Sequence, residues 1–222
     1  MGVLTGPEIA RHVELGSIVI DPYDRSRLNP NSYNLRLADK LLVYNVNCAE
    51  IWEQDTSFPP DCILPGTPEA PNPWREVPGQ PNRYDRVGCL DMKKETPTFE
   101  LMIPEEGLIL VPGVLYLGST MEYTETPNFA PMIEGRSSVG RLGLCVHVTA
   151  GFGDRDFRGT WTLELTVVHP LRVYAGIEVC QIAYMPTVGE VRPYAGRYQG
   201  QRGPKPSGLW KDFAAEKGKK QP

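Results

Sequence analysis

Two arginines and two hydroxyls sit close together on a glycine-hinged turn. The stretch is EGRSSVGRLGL, residues 134–144, and it carries Arg136, Ser137, Ser138 and Arg141. Guanidinium forks bind phosphate oxygens bidentately, and neighbouring hydroxyls and backbone N–H groups add neutral donors, so the set suits a polyphosphate. Read alone, the same residues also describe a surface turn with two solvated arginines. A second set follows in TWTLELTV, residues 160–167. Strand alternation puts Trp161, Leu163, Leu165 and Val167 on one face and Thr160, Thr162, Glu164 and Thr166 on the other. Glu164 therefore faces either solvent or a polar pocket. In a pocket its pKa would rise toward neutrality and it could transfer protons. Asp154, near Asp156, lies in a Gly-flanked turn, and His147, alternating with Val146 and Val148, reads as a structural histidine.

Several other chemistries lack their motifs. The chain has no Gly-x4-Gly-Lys-Ser/Thr phosphate loop and no GxGxxG. It has three histidines (His12, His147, His169) and no His-Cys-Cys grouping of the kind that binds catalytic zinc. No nucleophile elbow is present.

The elements that must position these residues are short. The 222 residues suit one domain with additions, and 41% hydrophobic with 23% charged residues is an ordinary globular balance. A net charge of −4 argues against a general nucleic-acid binder. No apolar run approaches the roughly 18 to 20 residues of a membrane span. The N-terminal run lacks the basic and apolar regions of a signal peptide. Five cysteines, an odd number without CxxC, fit a reduced cytoplasmic protein. The 22 glycines and 22 prolines favour many short strands over long helices.

One short helix is expected over 5–17, with Thr5 as cap and Ile9, Val13 and Leu15 on its apolar side. In residues 28–45 Tyr33, Leu35 and Leu37 alternate with Asn34 and Arg36, as in a strand. Eight prolines between 56 and 86 read as a surface loop, since proline cannot donate to a sheet ladder. From 98 onward short strands follow one another, among them LGLCVHVT, TWTLELTVV and EVCQIAYMP, which suggests a sandwich, barrel or jelly roll. The glycine-rich basic tail reads as either a solvated tail or a flexible lid.

Taken together, three segments resemble the dCTP deaminase family of the trimeric dUTPase superfamily. They are LNPNSYNLRL (28–37), EYTETPNFAPMIEGRSSVGRLGLCVHVTAGFGDRDFRGTWTLEL (122–165) and VRPYAGRYQGQRGPKPS (191–207). The resemblance implies a mainly β fold, a distorted β-barrel or jelly roll of the dUTPase-like type, with a short N-terminal helix. It implies one domain over 1–222, a Pro-rich insertion at about 56–86 and a C-terminal lid or tail at about 192–222. It also implies a homotrimer with active sites between subunits.

The implied reaction is zinc-independent hydrolytic deamination of dCTP to dUTP and ammonia, with Mg²⁺ arriving on the triphosphate. Alternatives are a bifunctional enzyme that also hydrolyses dUTP to dUMP and pyrophosphate, a dCMP or modified-dCTP deaminase, and a non-catalytic nucleotide-sensing trimer. Feedback inhibition by dTTP is common in the family. By resemblance, Glu164 matches the catalytic glutamate, and Ser137 with the carbonyl of Ala150 holds the attacking water. Arg141 stabilises the tetrahedral intermediate. Arg136, Ser137 and Ser138 match the phosphate-binding Arg-Ser-Ser. Asp154 lies at the deoxyribose, and Thr162 and Leu163 read the base through their backbone. Tyr194, Arg197 and Gln201 close over the phosphates, with Arg197 standing where the family often has Lys.

Overall fold

Residues 2–44, 90–147 and 149–218 are described by a computed structural model of the chain. The Pro-rich stretch at 56–86 lies outside the described residues. Helix α1 (Gly6–Glu14) leads, with strands β1 (Val19–Asp21), β2 (Tyr33–Arg36), β3 (Lys40–Tyr44), β4 (Thr98–Met102), β5 (Leu108–Leu110), β6 (Tyr116–Ser119), β7 (Tyr123–Glu125) and β8 (Phe129–Gly135) after it. A short helix α2 (Ser137–Gly140) follows, and then β9 (Leu144–Cys145), β10 (Arg158–Gly159), β11 (Thr162–Val167), β12 (Leu171–Val173) and β13 (Glu178–Pro186). Helix α3 (Trp210–Gly218) forms in the tail, where the sequence reading expected only a tail or lid.

Thr5 occupies the N-cap of α1 in extended conformation, yet its side chain makes no capping hydrogen bond. Ile9 is fully buried and Val13 packs partly on the core. Leu15, expected on the apolar side, is 64% exposed, because the helix has already ended and the chain turns at Gly16 with φ 69°.

The strands form open sheets, in the orders β1-β7-β10, β4-β3-β6-β11-β9, β12-β5 and β2-β13-β8. The mainly β class stands, but the expected barrel closure does not. A barrel needs one continuous ladder with matched tilt and stagger. Here β4 and β9 end the largest sheet without pairing to each other. Most of the strands have only two to five residues and are punctuated by Gly and Pro turns, and even with the longer β8, β11 and β13 they do not carry one ladder around. The sheets still share one core, into which Tyr33, Leu35, Leu37, Leu163, Leu165, Ile182 and Tyr184 are fully buried.

β11 runs beside β6 with Leu163 opposite Gly118 and Leu165 opposite Tyr116. Gly118 is required there, since a Cβ would come within 3.1 Å of Leu165, Leu37 and Leu41 together. Leu165→Ala removes a fully buried side chain from this layer. It should lower unfolding free energy by about 2–5 kcal/mol, read as a fall in the denaturant midpoint with an unchanged slope.

Candidate active site

The polar edge of β11 and the turn after β8 carry most of the chemistry expected from the sequence. Burial of Leu163, Leu165 and Val167 forces Thr162, Glu164 and Thr166 onto the opposite, half-exposed face. Glu164 retains 36% side-chain exposure and lies 3.5 Å from the ring of His147, whose own side chain is 8% exposed. Neither His147 nitrogen has a hydrogen-bond partner among the described residues. His147 therefore reaches the site's carboxylate, which its alternation with valines did not disclose. Register brings it there: Glu164 N–H donates to Val146 O at 2.9 Å, one residue before the histidine.

The same register separates Thr162 from Leu163. Thr120 N–H donates to Trp161 O at 2.9 Å, so odd-numbered residues of β11 carry the ladder to β6. The Leu163 backbone is thus committed to Gly118. β9 meets β11 only at Thr166 and Val167, and Val146 O covers Glu164. The N–H and C=O of Thr162 face an edge that no strand covers among the described residues. Of the two strand residues expected to read a base, Thr162 alone has backbone groups to offer.

Arg136 is the N-cap of α2, and Ser137 and Ser138 form its first turn, both exposed. With Asn29, Asn34 and Gln181 they line a cleft of about 160 Å³. Its walls are hydrogen-bonded to one another: Asn29 Nδ2 donates to Ser32 Oγ at 3.1 Å and to Asn34 Oδ1 at 2.6 Å, and Ser32 Oγ donates to Gln181 Oε1 at 2.6 Å. Asn34 Nδ2 donates to Glu178 Oε2 at 2.9 Å, and the same oxygen pairs with Arg136 Nη1 at 2.9 Å. This network explains why LNPNSYNLRL belongs with the central block, although Asn34 is 5% exposed in a strand whose alternation would face it outward. Glu178 and Gln181 are missed by sequence reasoning, for they lie more than forty residues from Arg136 with no shared motif.

Arg141 caps the C-terminus of α2 and is exposed, as are Ala150 and Asp154. The side chains of Arg141 and Asp154 make no hydrogen bond or ion pair with another described residue. Asp154 is held by the backbone around it: Gly153 N–H donates to Pro131 O at 2.8 Å, and Phe157 N–H to Asp154 O at 3.3 Å. A Cβ on Gly153 would lie 2.5 Å from the Trp161 ring and 2.8 Å from Pro131, so only glycine fits.

The segment after β13 folds back on β10 and β11. Gln201 is 9% exposed, donates from Nε2 to Thr160 O at 2.7 Å and Thr162 Oγ1 at 3.3 Å, and pairs with Gly159 in a parallel bridge. Gly159 has φ 151° and brings its Cα side against Gln201 O. Tyr194 packs edge-on against Phe157 at 5.8 Å, and its hydroxyl accepts from Tyr198 N–H at 3.4 Å. Tyr44 Oη accepts from Ser207 N–H at 2.7 Å. Burial pushes the Tyr44 phenol up, the Ser207 N–H pulls it down, and Tyr198 and Glu164 push it up further.

Arg197 binds Asp212 through two contacts of 2.6 and 2.7 Å and also donates to Gly208 O. The hydrogen bond to the Asp212 side chain holds its guanidinium above the ordinary range. In this conformation Arg197 fastens the returning segment to α3 and does not point an open fork at a ligand.

No hydrogen bond or ion pair among the described residues joins Arg136, Ser137 or Ser138 to Glu164, and Glu164 does not line the 160 Å³ cleft. The chain presents two polar regions: a cleft at α2 lined by Arg136, Ser137 and Ser138, and Glu164 beside a backbone edge of β11 that no strand covers among the described residues.

The dCTP deaminase-like family matches over residues 79–187. A protein of Leptospira biflexa named "dCTP deaminase, dUMP-forming" is 49% identical over 213 residues, covering 95% of this chain and 98% of its own. Proteins of the same name from Cytophaga hutchinsonii and Clostridium acetobutylicum are 49% and 44% identical, each over 95% of this chain and 98% of their own. The chain belongs to the dCTP deaminase family. A solved structure of 2'-deoxycytidine 5'-triphosphate deaminase from Agrobacterium tumefaciens superposes with a TM-score of 0.53 at 20% identity, over 84% of this chain and about half (48%) of that one, and bears on the fold alone. The relatives' names specify dUMP, and this overturns the expectation of dUTP as the product.

Gly153→Ala should push the Asp154 turn off β8. A displacement of about 1 Å near reacting groups costs about 10²-fold in rate, so turnover of the nucleotide should fall by that order while the circular dichroism spectrum is retained.

Proposed function

We propose that the protein is a bifunctional dCTP deaminase that converts dCTP and two waters into dUMP, ammonia and pyrophosphate. The observation that carries this reading is near-half identity, over almost the full length of both chains, to relatives named for dUMP formation. In the first step water adds at C4 of cytosine, protons reach N3 and the amine, and ammonia leaves. Glu164 takes the proton of the attacking water and passes it on, while Ser137 and the Ala150 carbonyl hold that water. Arg141 stabilises the charge of the tetrahedral intermediate. The Thr162 backbone edge supplies one donor and one acceptor to the base. In the second step another water attacks the α-phosphate with Asp154 as base, and pyrophosphate departs.

Arg136, Ser137 and Ser138 hold phosphate oxygens, and Tyr194 and Gln201 close over the site. That no hydrogen bond or ion pair among the described residues joins Arg136, Ser137 or Ser138 to Glu164 supports a symmetric oligomer, a trimer, in which two half-sites meet, α2 of one subunit serving the nucleotide on β11 of its neighbour. The cleft's donors are guanidinium, hydroxyl and amide groups, and no group of three or more His, Cys, Asp or Glu that could hold a metal occurs among the described residues. That donor set fits an Mg²⁺ carried on the triphosphate by phosphate oxygens and water, where it neutralises phosphate charge. Cys145 and Cys180 are free thiols, in keeping with the cytoplasm.

The test is a product assay with dCTP and Mg²⁺. Equal amounts of ammonia, pyrophosphate and dUMP are expected, without accumulation of dUTP. Accumulating dUTP with no pyrophosphate would contradict the second step. Glu164→Gln should lower ammonia release by about 10²- to 10⁴-fold while nucleotide binding persists; normal release would remove Glu164 from the mechanism.

A further inference from the structure

A bulge in β13 holds Arg136 from behind, and we infer that Glu178 is the positioning residue that aims this guanidinium at the nucleotide's phosphates. The inference rests on Arg136 being a phosphate ligand. The register of β13 against β2 slips between Glu178 and Cys180. An extra residue in one strand breaks the alternation and re-aims side chains. Val179 and Cys180 are accordingly both fully buried, and Glu178 emerges beside Gln181 on the polar side. A regular strand would send residues three apart to opposite faces.

The bulge meets Arg136 through three contacts. Arg136 N–H donates to Val179 O at 3.3 Å, Nη1 donates to Glu178 O at 3.1 Å, and Nη1 pairs with Glu178 Oε2 at 2.9 Å. The Glu178 carboxylate is itself fixed. Its Oε2 also accepts from Asn34, and its Oε1 faces Arg27 Nε at 3.7 Å. Arg27 in turn reaches the fully buried Glu122 at 3.1 Å, which Arg36 also binds at 2.7 Å. One arm of the Arg136 fork is thus committed to the bulge. Nε and Nη2 bond to no described residue and remain for the cleft that Ser137 and Ser138 line.

Charge and geometry oppose each other here. A carboxylate beside the phosphate site weakens anion binding by repulsion, whereas an anchored fork strengthens it by preorganisation. Positioning predicts that the second effect wins.

The experiment measures dCTP affinity calorimetrically with Mg²⁺, in the slowed Glu164→Gln background, together with the melting temperature of each variant. Glu178→Gln should weaken dCTP about tenfold, the effect of one lost charge-assisted hydrogen bond. It should add little further loss to Arg136→Ala in the double variant. Glu178→Asp, with the same charge on a shorter arm, should also lose affinity. Tighter binding in Glu178→Gln, unchanged affinity in Glu178→Asp, or full additivity with Arg136→Ala would overturn the positioning role. Unchanged affinity in Arg136→Ala alone would instead refute Arg136 as a phosphate ligand, and the inference with it.

Discussion

The structure depends on the strict alternation of β11 within the largest sheet. Leu163, Leu165 and Val167 must enter the core, so Glu164 and Thr162 have one face left to occupy. A shift of one residue would bury the carboxylate and expose three apolar side chains. The short strands on either side supply the remaining geometry. β6 takes up the Leu163 backbone, β9 withdraws after two residues, and no strand covers the edge of Thr162 among the described residues. Packing of the apolar face in this way sets a carboxylate on the polar face, with Val146 O holding its backbone N–H.

The cleft at α2 is built by polar contacts. Around α2, amides, hydroxyls and alternating carboxylates and guanidiniums satisfy one another from Glu122 through Arg27 and Glu178 to Arg136. A buried carboxylate such as Glu122 persists only when paired and hydrogen-bonded, as it is by Arg27, Arg36 and the Arg36 backbone N–H. A low-dielectric network of this kind is rigid when complete. It holds Ser137, Ser138 and Arg136 on a four-residue helix that would not be stable alone.

Local patterns were legible in the sequence where one force acts. EVCQIAYMP is β13 residue for residue, and the faces of Tyr33, Leu35 and Leu37 follow from alternation. Alternation assigns Glu164 to the polar face but does not choose between solvent and pocket, because that depends on His147 and on segments arriving from elsewhere. Asn34 broke its pattern, since its amide is satisfied by Asn29 and Glu178 and so tolerates burial. Sheet closure is not legible, because strand count does not fix whether ladders join. Helix α3 is not legible because its apolar and polar residues are only weakly segregated into faces; the Arg197–Asp212 pair and Lys93 against the Phe213 ring help seat it. Glu178 left no local signal, for a bulge is a property of pairing and not of one strand.

The most direct test of the division into two half-sites mixes inactive subunits. Arg136→Ala and Glu164→Gln chains would be purified separately, denatured, combined in equal amounts and refolded, and the release of ammonia from dCTP followed. If neighbouring subunits each contribute one half, the mixture should regain about a quarter of wild-type activity, because one in four random pairings restores both groups in a symmetric oligomer. A mixture as inactive as its two components would mean that Arg136 and Glu164 must come from the same chain.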